Sequence, residues 1–378
     1  MKYIERAIEP IIKRYLKPNK AVILLGARRV GKTELIKKFI SECTEPYLFL
    51  NGDDLQTHNL LESRTITNYS RLLGDARLLI IDEVQSIPEI GIKLKLMLDG
   101  IPDLKVLATG SSVFELNNGL GEPLVGRKMT FQIFPLAQLE FSKQETYVET
   151  QQNFHERLVF GSYPELEHLT SRKEKIDYLH EQVNSYLIKD ILEFEGIRKR
   201  ETIVSLLRKI AFRVGSEISI EGLANELQIG KGTVDRYLDL LSKVLIIHKL
   251  TGFSRNLDSE ITKKNKWYFY DNGIRNALIN NFNMLELRDD QGKLWENYLI
   301  SERLKKQEYL RLHTSNYFWR THSKQEIDWI EEKDGSITGF EFKWNSKKNP
   351  KPPAQWLKAY PDAQFEWIHP DNYLEFIE

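Results

Sequence analysis

The sequence predicts an α/β chain. A parallel sheet flanked by helices comes first, followed by a helical segment, a helix pair with two strands, and a small second α/β region. Three observations predict this. Residues 26–33, Gly-Ala-Arg-Arg-Val-Gly-Lys-Thr, form a glycine-punctuated turn between an apolar pentapeptide and an amphipathic stretch. Residues 78–81 are an unbroken apolar run that suits a strand buried on both faces, and the run ends in Asp82-Glu83. Near the C-terminus, short alternating runs follow a helical pattern and place acidic residues at strand spacing.

The first element is Ala21-Val-Ile-Leu-Leu25, read as a strand, and residues 34–40 after the turn read as a helix. The turn fits G-x-x-x-x-G-K-[ST] at every fixed position. A strand, a tight turn and a helix N-terminus aim backbone N–H groups at one point, where the helix dipole favours an anion. Gly26 and Gly31 permit the turn and the close approach of phosphate oxygens. Lys32 would reach the β- and γ-phosphates, and the Thr33 hydroxyl would ligate Mg²⁺. Arg28, Arg29, Val30 and Glu34 complete the expected nucleotide contacts.

The second element is the strand ending in Asp82-Glu83. Asp82 suits the carboxylate that holds Mg²⁺ through its water shell, and Glu83 would point to the γ-phosphate and orient or deprotonate water. The third is Leu104-Lys-Val-Leu-Ala-Thr-Gly-Ser-Ser112, a buried strand ending in small polar residues. Strand C-termini of a parallel sheet face the ligand crevice. Thr109, Ser111 and Ser112 could therefore sense the γ-phosphate or the attacking water, or simply close a strand.

These segments resemble AAA-type ATPases of the additional-strand class, with a P-loop NTPase fold. The resemblance implies ATP and Mg²⁺ as ligands, a catalytic Glu beside the Mg²⁺-linked Asp, and a polar sensor on the intervening strand. Glu83, Asp82 and residues 109–112 occupy those positions, with Lys32 and Ser111 in the catalytic set. Leu124-Val-Gly-Arg-Lys128 resembles the Gly-Arg segment that follows the sensor in one prokaryotic branch. Arg127 is then a candidate for γ-phosphate charge stabilisation, in cis or from a neighbouring subunit of a homo-oligomer; a solvated surface arginine is the other reading. Phe131-Gln-Ile-Phe-Pro-Leu136 and Gly161-Ser-Tyr-Pro-Glu165 resemble that branch's exit from the ATPase core.

Composition bounds the rest. The 378 residues exceed one ordinary domain. The expected organisation is an ATPase core over 1–136, a helical lid and connector over 137–210, a winged helix over 211–272 and a nuclease-like domain over 273–378. Lys+Arg and Asp+Glu both number 54, so any nucleic-acid surface has to be a local patch. Cys43 is the single cysteine, which excludes an internal disulfide or a Cys-rich zinc site and fits a reducing cytoplasm. The N-terminus carries charges where a secretory signal needs an apolar run, and no stretch approaches the ~20 apolar residues of a membrane span. A cytoplasmic protein without a membrane partner is expected.

Residues 221–227 and 233–241 carry apolar positions at helical spacing around the turn Gln228-Ile-Gly230, a helix-turn-helix pattern. Strands are expected at 244–248 and 266–270, the outline of a winged helix. Lys231, Thr233 and Arg236 on the second helix, with Lys263 and Lys264 between the strands, are the nucleic-acid candidates for DNA or RNA. The same outline also serves as a rigid connector or a protein-binding module.

Glu296 lies on an expected helix, Asp328 on a strand, and Glu341 and Lys343 two apart on another strand, hence on one face. Three carboxylates can hold Mg²⁺ for phosphodiester cleavage, with Lys343 positioning water or neutralising charge. This D…E-x-K order with an upstream helical Glu resembles the PD-(D/E)XK nuclease superfamily. Across most of its length the chain resembles prokaryotic AAA-type ATPases whose C-terminal domain of unknown function pairs a winged helix with such a core. Tyr268-Phe-Tyr-Asp-Asn-Gly-Ile274, Trp295-Glu-Asn297 and Phe318-Trp-Arg-Thr321 carry the likeness. Two functions follow as expectations: an ATPase coupled to nucleic-acid binding or cleavage, or a nucleotide-driven switch contacting a protein partner over a non-catalytic nuclease-like scaffold.

Overall fold

The computed structural model describes residues 3–111, 124–187, 200–254, 265–321, 323–347 and 350–378. The chain forms two compact units. One spans Lys2–Pro135 with Lys243–Leu245, and the other spans Leu136–Ser242 and Ile246–Glu378.

The first unit is built on strands β1 (Lys20–Gly26), β2 (Tyr47–Asn51), β3 (Leu78–Asp82), β4 (Lys105–Ser111) and β5 (Lys128–Ile133). They pair in the order β2-β3-β4-β1-β5, every pair parallel. Parallel strands covered by helices on both faces need apolar side chains at consecutive positions, and β3 is buried at all of its residues. Ala21, Ile23, Leu79, Ile81, Val106 and Ala108 pack on one face against Tyr69, Leu94 and Met97 of the helices Ile66–Leu73 and Ile90–Gly100. The edge strand β2 leaves Tyr47 and Phe49 exposed. The register brings the carboxyl ends of β1, β3 and β4 to one rim, where Gly26 stands beside Ser111. Asp82 and Ser111 end their strands on that rim, and the loop that begins at Gly26 leaves from it.

The second unit holds a sheet of seven strands. They are β6 (Glu217–Ile218), β7 (Ile247–Gly252), β8 (Asn265–Phe269), β9 (Ser315–Arg320), β10 (Glu326–Lys333), β11 (Ser336–Phe342) and β12 (Gln364–Ile368). Their order is β12-β11-β10-β9-β7-β8-β6. The helices Ile220–Leu227 and Lys231–Lys243 flank the turn at Gln228, whose φ of 54° closes the first of them. The first strand after this pair lies later than the alternation predicts, at 247–252 rather than 244–248. Leu245 is left-handed (φ 59°) and Ile246 N returns to Leu241 O, so the chain is still leaving the helix there. A second difference concerns grouping. Strands expected of separate winged-helix and nuclease-like domains share one sheet, because β7 pairs parallel with β9 at Thr251–Tyr317 and Gly252–Phe318. Among the described residues, no helix is long and apolar enough to cross a membrane.

Two motifs that carried the family likeness turn out to be structural and interlocked. Asp271 caps the helix Asn272–Leu278 by accepting from Ile274 N, and also accepts from Ser162 N at 2.8 Å. Gly161 has φ 76°, and a Cβ there would stand 2.1 Å from Asp271 Oδ1. Asn272, Asn276 and Asn297 are buried and donate to the carbonyls of Leu158, Val159 and Phe269. Buried amides spent on buried carbonyls specify how the elements meet. Nothing in this network is free for chemistry.

Candidate functional site

The loop 26–33 leaves β1 and enters the helix Lys32–Glu42. Gly31 is its N-cap at φ 95° and Arg29 is also left-handed at φ 61°. Gly26 has no room for a side chain, since a Cβ would lie 2.3 Å from the backbone oxygen of Ile133 on β5. The Lys32 ammonium turns inward and donates to the carbonyls of Gly26 and Ala27 at 3.0 and 2.9 Å. Val30 is buried, Arg28 partly exposed, and Arg29 and Glu34 exposed, with Glu34 paired to Lys37 at 2.8 Å.

Thr33 Oγ1 donates to Asp82 Oδ2 at 2.8 Å. A hydroxyl from the helix and a carboxylate from the end of β3 thus converge, the oxygen-rich donor set that Mg²⁺ prefers. The residues present fit that ion. Thr109 is fully buried and spends its hydroxyl on Asp82 Oδ1, so it orients the carboxylate and is not itself open to a phosphate. Glu83 follows in a left-handed conformation (φ 51°, ψ 49°), its N–H directed at Asp82 Oδ1. Its Oε2 accepts from Gln85 Nε2 at 2.5 Å. Ser111 ends β4 on the same rim, and its N–H donates to Gln85 Oε1 at 3.1 Å. Ser112 lies outside the described residues.

The structure overturns one expectation for a single subunit. Arg127 immediately precedes Lys128, which pairs with Ala21 near the start of β1. The phosphate loop begins at Gly26, five residues along a strand and roughly 16 Å away at ~3.3 Å per residue. Arg127 Nε instead donates to Asp99 Oδ1 at 2.5 Å. It therefore cannot reach the γ-phosphate in cis. The sequence motif was local, and the direction of β5 in the sheet was not legible from it.

Two residues that sequence reasoning passed over support the loop. Arg6 is 2% exposed and donates to the carbonyls of Val30 and Phe134 at 2.6 and 2.8 Å, bracing the phosphate loop from behind. Gln85 bridges Glu83 and β4. Neither belongs to a local pattern; only the fold shows their partners.

In the second unit, Glu296 on the helix Gln291–Tyr309, Asp328 on β10, Glu341 on β11 and Lys343 just after it gather on one side of the sheet. Phe342 N donates to Asp328 Oδ2 at 2.9 Å, and Lys343 Nζ donates to Glu341 Oε1. Two further residues join them. Lys266 of β8 is 2% exposed, pairs with Glu326, and lies 3.7 Å from Glu296 Oε1; Tyr268 donates to the same Glu296 oxygen at 2.6 Å. Burial pushes Glu296 and Glu341 up to about 7, reinforced in each case by the Asp328 charge, and it raises Asp328 too. Burial pulls the Lys266 ammonium down, but Glu296, Asp328 and Glu326 outweigh it and the net shift is upward.

The cluster's cation is therefore built in. Among the described residues, no three acidic, His or Cys side chains converge to hold a metal ion. Lys266 answers part of the cluster's charge, since it pairs with Glu326 and lies close to Glu296. On the helix Lys231–Lys243, Lys231 and Arg236 are exposed and Thr233 partly so, but Asp235 and Asp239 are exposed on that helix as well. The helix does not present a basic face. Lys263 and Lys264 lie outside the described residues.

Residues 18–142 match a family described as an AAA domain. Residues 151–285 and 291–371 match two domains of unknown function, DUF8612 and DUF4143. An uncharacterized protein of Methanocaldococcus jannaschii is 26% identical over 349 residues, covering 87% of this chain and 75% of that protein. An uncharacterized protein of Mycobacterium tuberculosis is 26% identical over 344 residues, covering 89% and 73%. Among solved structures, a Signal Transduction ATPase with Numerous Domains (STAND) protein of Pyrococcus horikoshii is 13% identical. The match covers 82% of this chain and 48% of that one, with a TM-score of 0.31. The five parallel strands, the loop between β1 and its helix, and the match over residues 18–142 agree on the fold: the N-terminal unit has the α/β P-loop NTPase fold of AAA domains, followed by a C-terminal mixed-sheet region.

Proposed function

We propose that the N-terminal unit binds ATP with Mg²⁺ and hydrolyses it. The observation that carries this reading is the convergence of Lys32, the Thr33–Asp82 pair and Glu83 on one rim of the sheet. Lys32 leaves its two loop carbonyls for the β- and γ-phosphates, and loop N–H groups at the helix N-terminus take the phosphate oxygens. Thr33 and Asp82 would hold Mg²⁺, which neutralises charge on the β- and γ-phosphates. Glu83 orients water and accepts its proton as the water oxygen bonds to the γ-phosphorus and the bond to the β-phosphate oxygen breaks, releasing ADP and phosphate. Lys32→Ala should weaken ATP binding at least about tenfold, as expected for a lost charge-assisted contact to phosphate. Calorimetric titration with Mg²⁺ and a non-hydrolysable ATP analogue checks it, and equal affinities would refute the reading.

For the whole chain, a nucleotide-driven switch is the better-supported role, with the C-terminal sheet as a scaffold. Lys266 favours it over metal-dependent nucleic-acid cleavage, since a buried ammonium already pairs with Glu326 and lies 3.7 Å from Glu296, one of the carboxylates a metal would need. The purified protein should leave labelled single-stranded, duplex and branched DNA, and RNA, intact in Mg²⁺ or Mn²⁺, with or without ATP. Cleavage that disappears in Glu341→Ala would sink the scaffold reading.

A further inference from the structure

Gln85 lies two residues past the Asp82-Glu83 pair, in the single turn Val84–Ser86, and no motif marks it. Its amide makes two bonds of opposite sense. Nε2 donates to Glu83 Oε2 at 2.5 Å, and Oε1 accepts from Ser111 N at 3.1 Å. A carboxylate only accepts and a backbone N–H only donates, so these partners fix which way round the amide sits. Gly110 keeps the space open: a Cβ there would come within 3.0 Å of Gln85 Oε1 and 3.2 Å of Val84 Cγ1. On the other side, Ser111 is the register partner of Gly26, the first residue of the phosphate loop. One side chain therefore joins the carboxylate, the end of β4 and the strand neighbour of the loop.

We propose that Gln85 is a positioning residue for ATP hydrolysis. It holds the Glu83 carboxylate in one orientation and ties that orientation to the β4 terminus beside the phosphates. The proposal rests on the reading of Glu83 as the group that activates water. A free glutamate samples many rotamers, and a general base works only within hydrogen-bond reach of the proton it takes. The bond from Gln85 removes that freedom beforehand.

Two substitutions in the full-length protein separate this role from simple packing. Gln85→Ala removes both bonds. Gln85→Glu keeps the shape and the acceptor for Ser111 N but loses the N–H that Glu83 needs, and it sets one carboxylate against another. Both should lower kcat at least about tenfold, the scale of misplacing a catalytic group, while the Kd for a non-hydrolysable ATP analogue stays within about twofold. Wild-type kcat in either variant would overturn the proposal. In Gln85→Glu it would show that shape and the Ser111 bond suffice. A loss confined to analogue affinity would also overturn it. Glu83→Gln in the same series tests the underlying reading separately: wild-type turnover by that variant removes Glu83 as the base, and Gln85's role with it.

Discussion

Burial sets the behaviour of Glu341. Its side chain is 14% exposed, its Oε2 has no hydrogen-bond partner among the described residues, and burial followed by the Asp328 charge pushes it up to about 7. Lys343 pulls the other way and does not win. The unfolded chain releases this proton near the ordinary 4.5. Between those values the folded form binds the extra proton, so the stability this protonation supplies is complete below about 4.5 and is lost as pH rises through about 7. Above that, a buried charge is carried at a cost. Glu341→Gln removes the charge while keeping the shape. It should therefore melt a few degrees above the wild type at pH 8, on the order of 2 kcal/mol, with the difference fading towards pH 5. Thermal denaturation at the two pH values measures this. A variant less stable at pH 8, or an offset independent of pH, would show that the pair with Lys343 outweighs the cost of burial.

At the scale of elements, the sequence was most legible where chemistry is local. The octapeptide predicts a strand–turn–helix because glycine spacing, flanking apolarity and helix periodicity all fall within one stretch of chain, and β1 with the helix Lys32–Glu42 is that unit. The apolar run at 78–81 is β3 for the same reason. Where the outcome depends on strand direction or pairing, local pattern fails. Arg127 looked competent for the γ-phosphate until the register of β5 against β1 placed it at the opposite rim. Lys266 had no visible partner in the sequence, since its role needs β8 beside β7 and β7 beside β9 to bring it near β10. Arg6 and Gln85 acquire meaning only from loops and strand ends distant in sequence. The motifs at 161–165 and 268–274 drew attention as family likeness, and the fold spends them on capping and on satisfying buried carbonyls.

At the scale of the whole molecule, two sets of carboxylates are treated in opposite ways. In the N-terminal unit, Asp82 and Thr33 bond to each other at a strand end beside the loop 26–33. That arrangement could exchange an internal hydrogen bond for a metal ion without loss of partners. In the C-terminal unit, Glu296 and Glu326 meet the buried Lys266, whose removal would leave their charge uncompensated in a low dielectric. On the proposed function, the chemistry belongs to ATP, the second cluster plays a supporting part, and Glu83 activates water for hydrolysis. The most direct measurement is single-turnover hydrolysis of Mg²⁺-ATP by the wild type and Glu83→Gln, alongside their affinities for the nucleotide. Both should bind fully, and the variant should lose about a hundredfold or more in hydrolysis rate, the scale of a removed general base. Hydrolysis by the variant at the wild-type rate would contradict it.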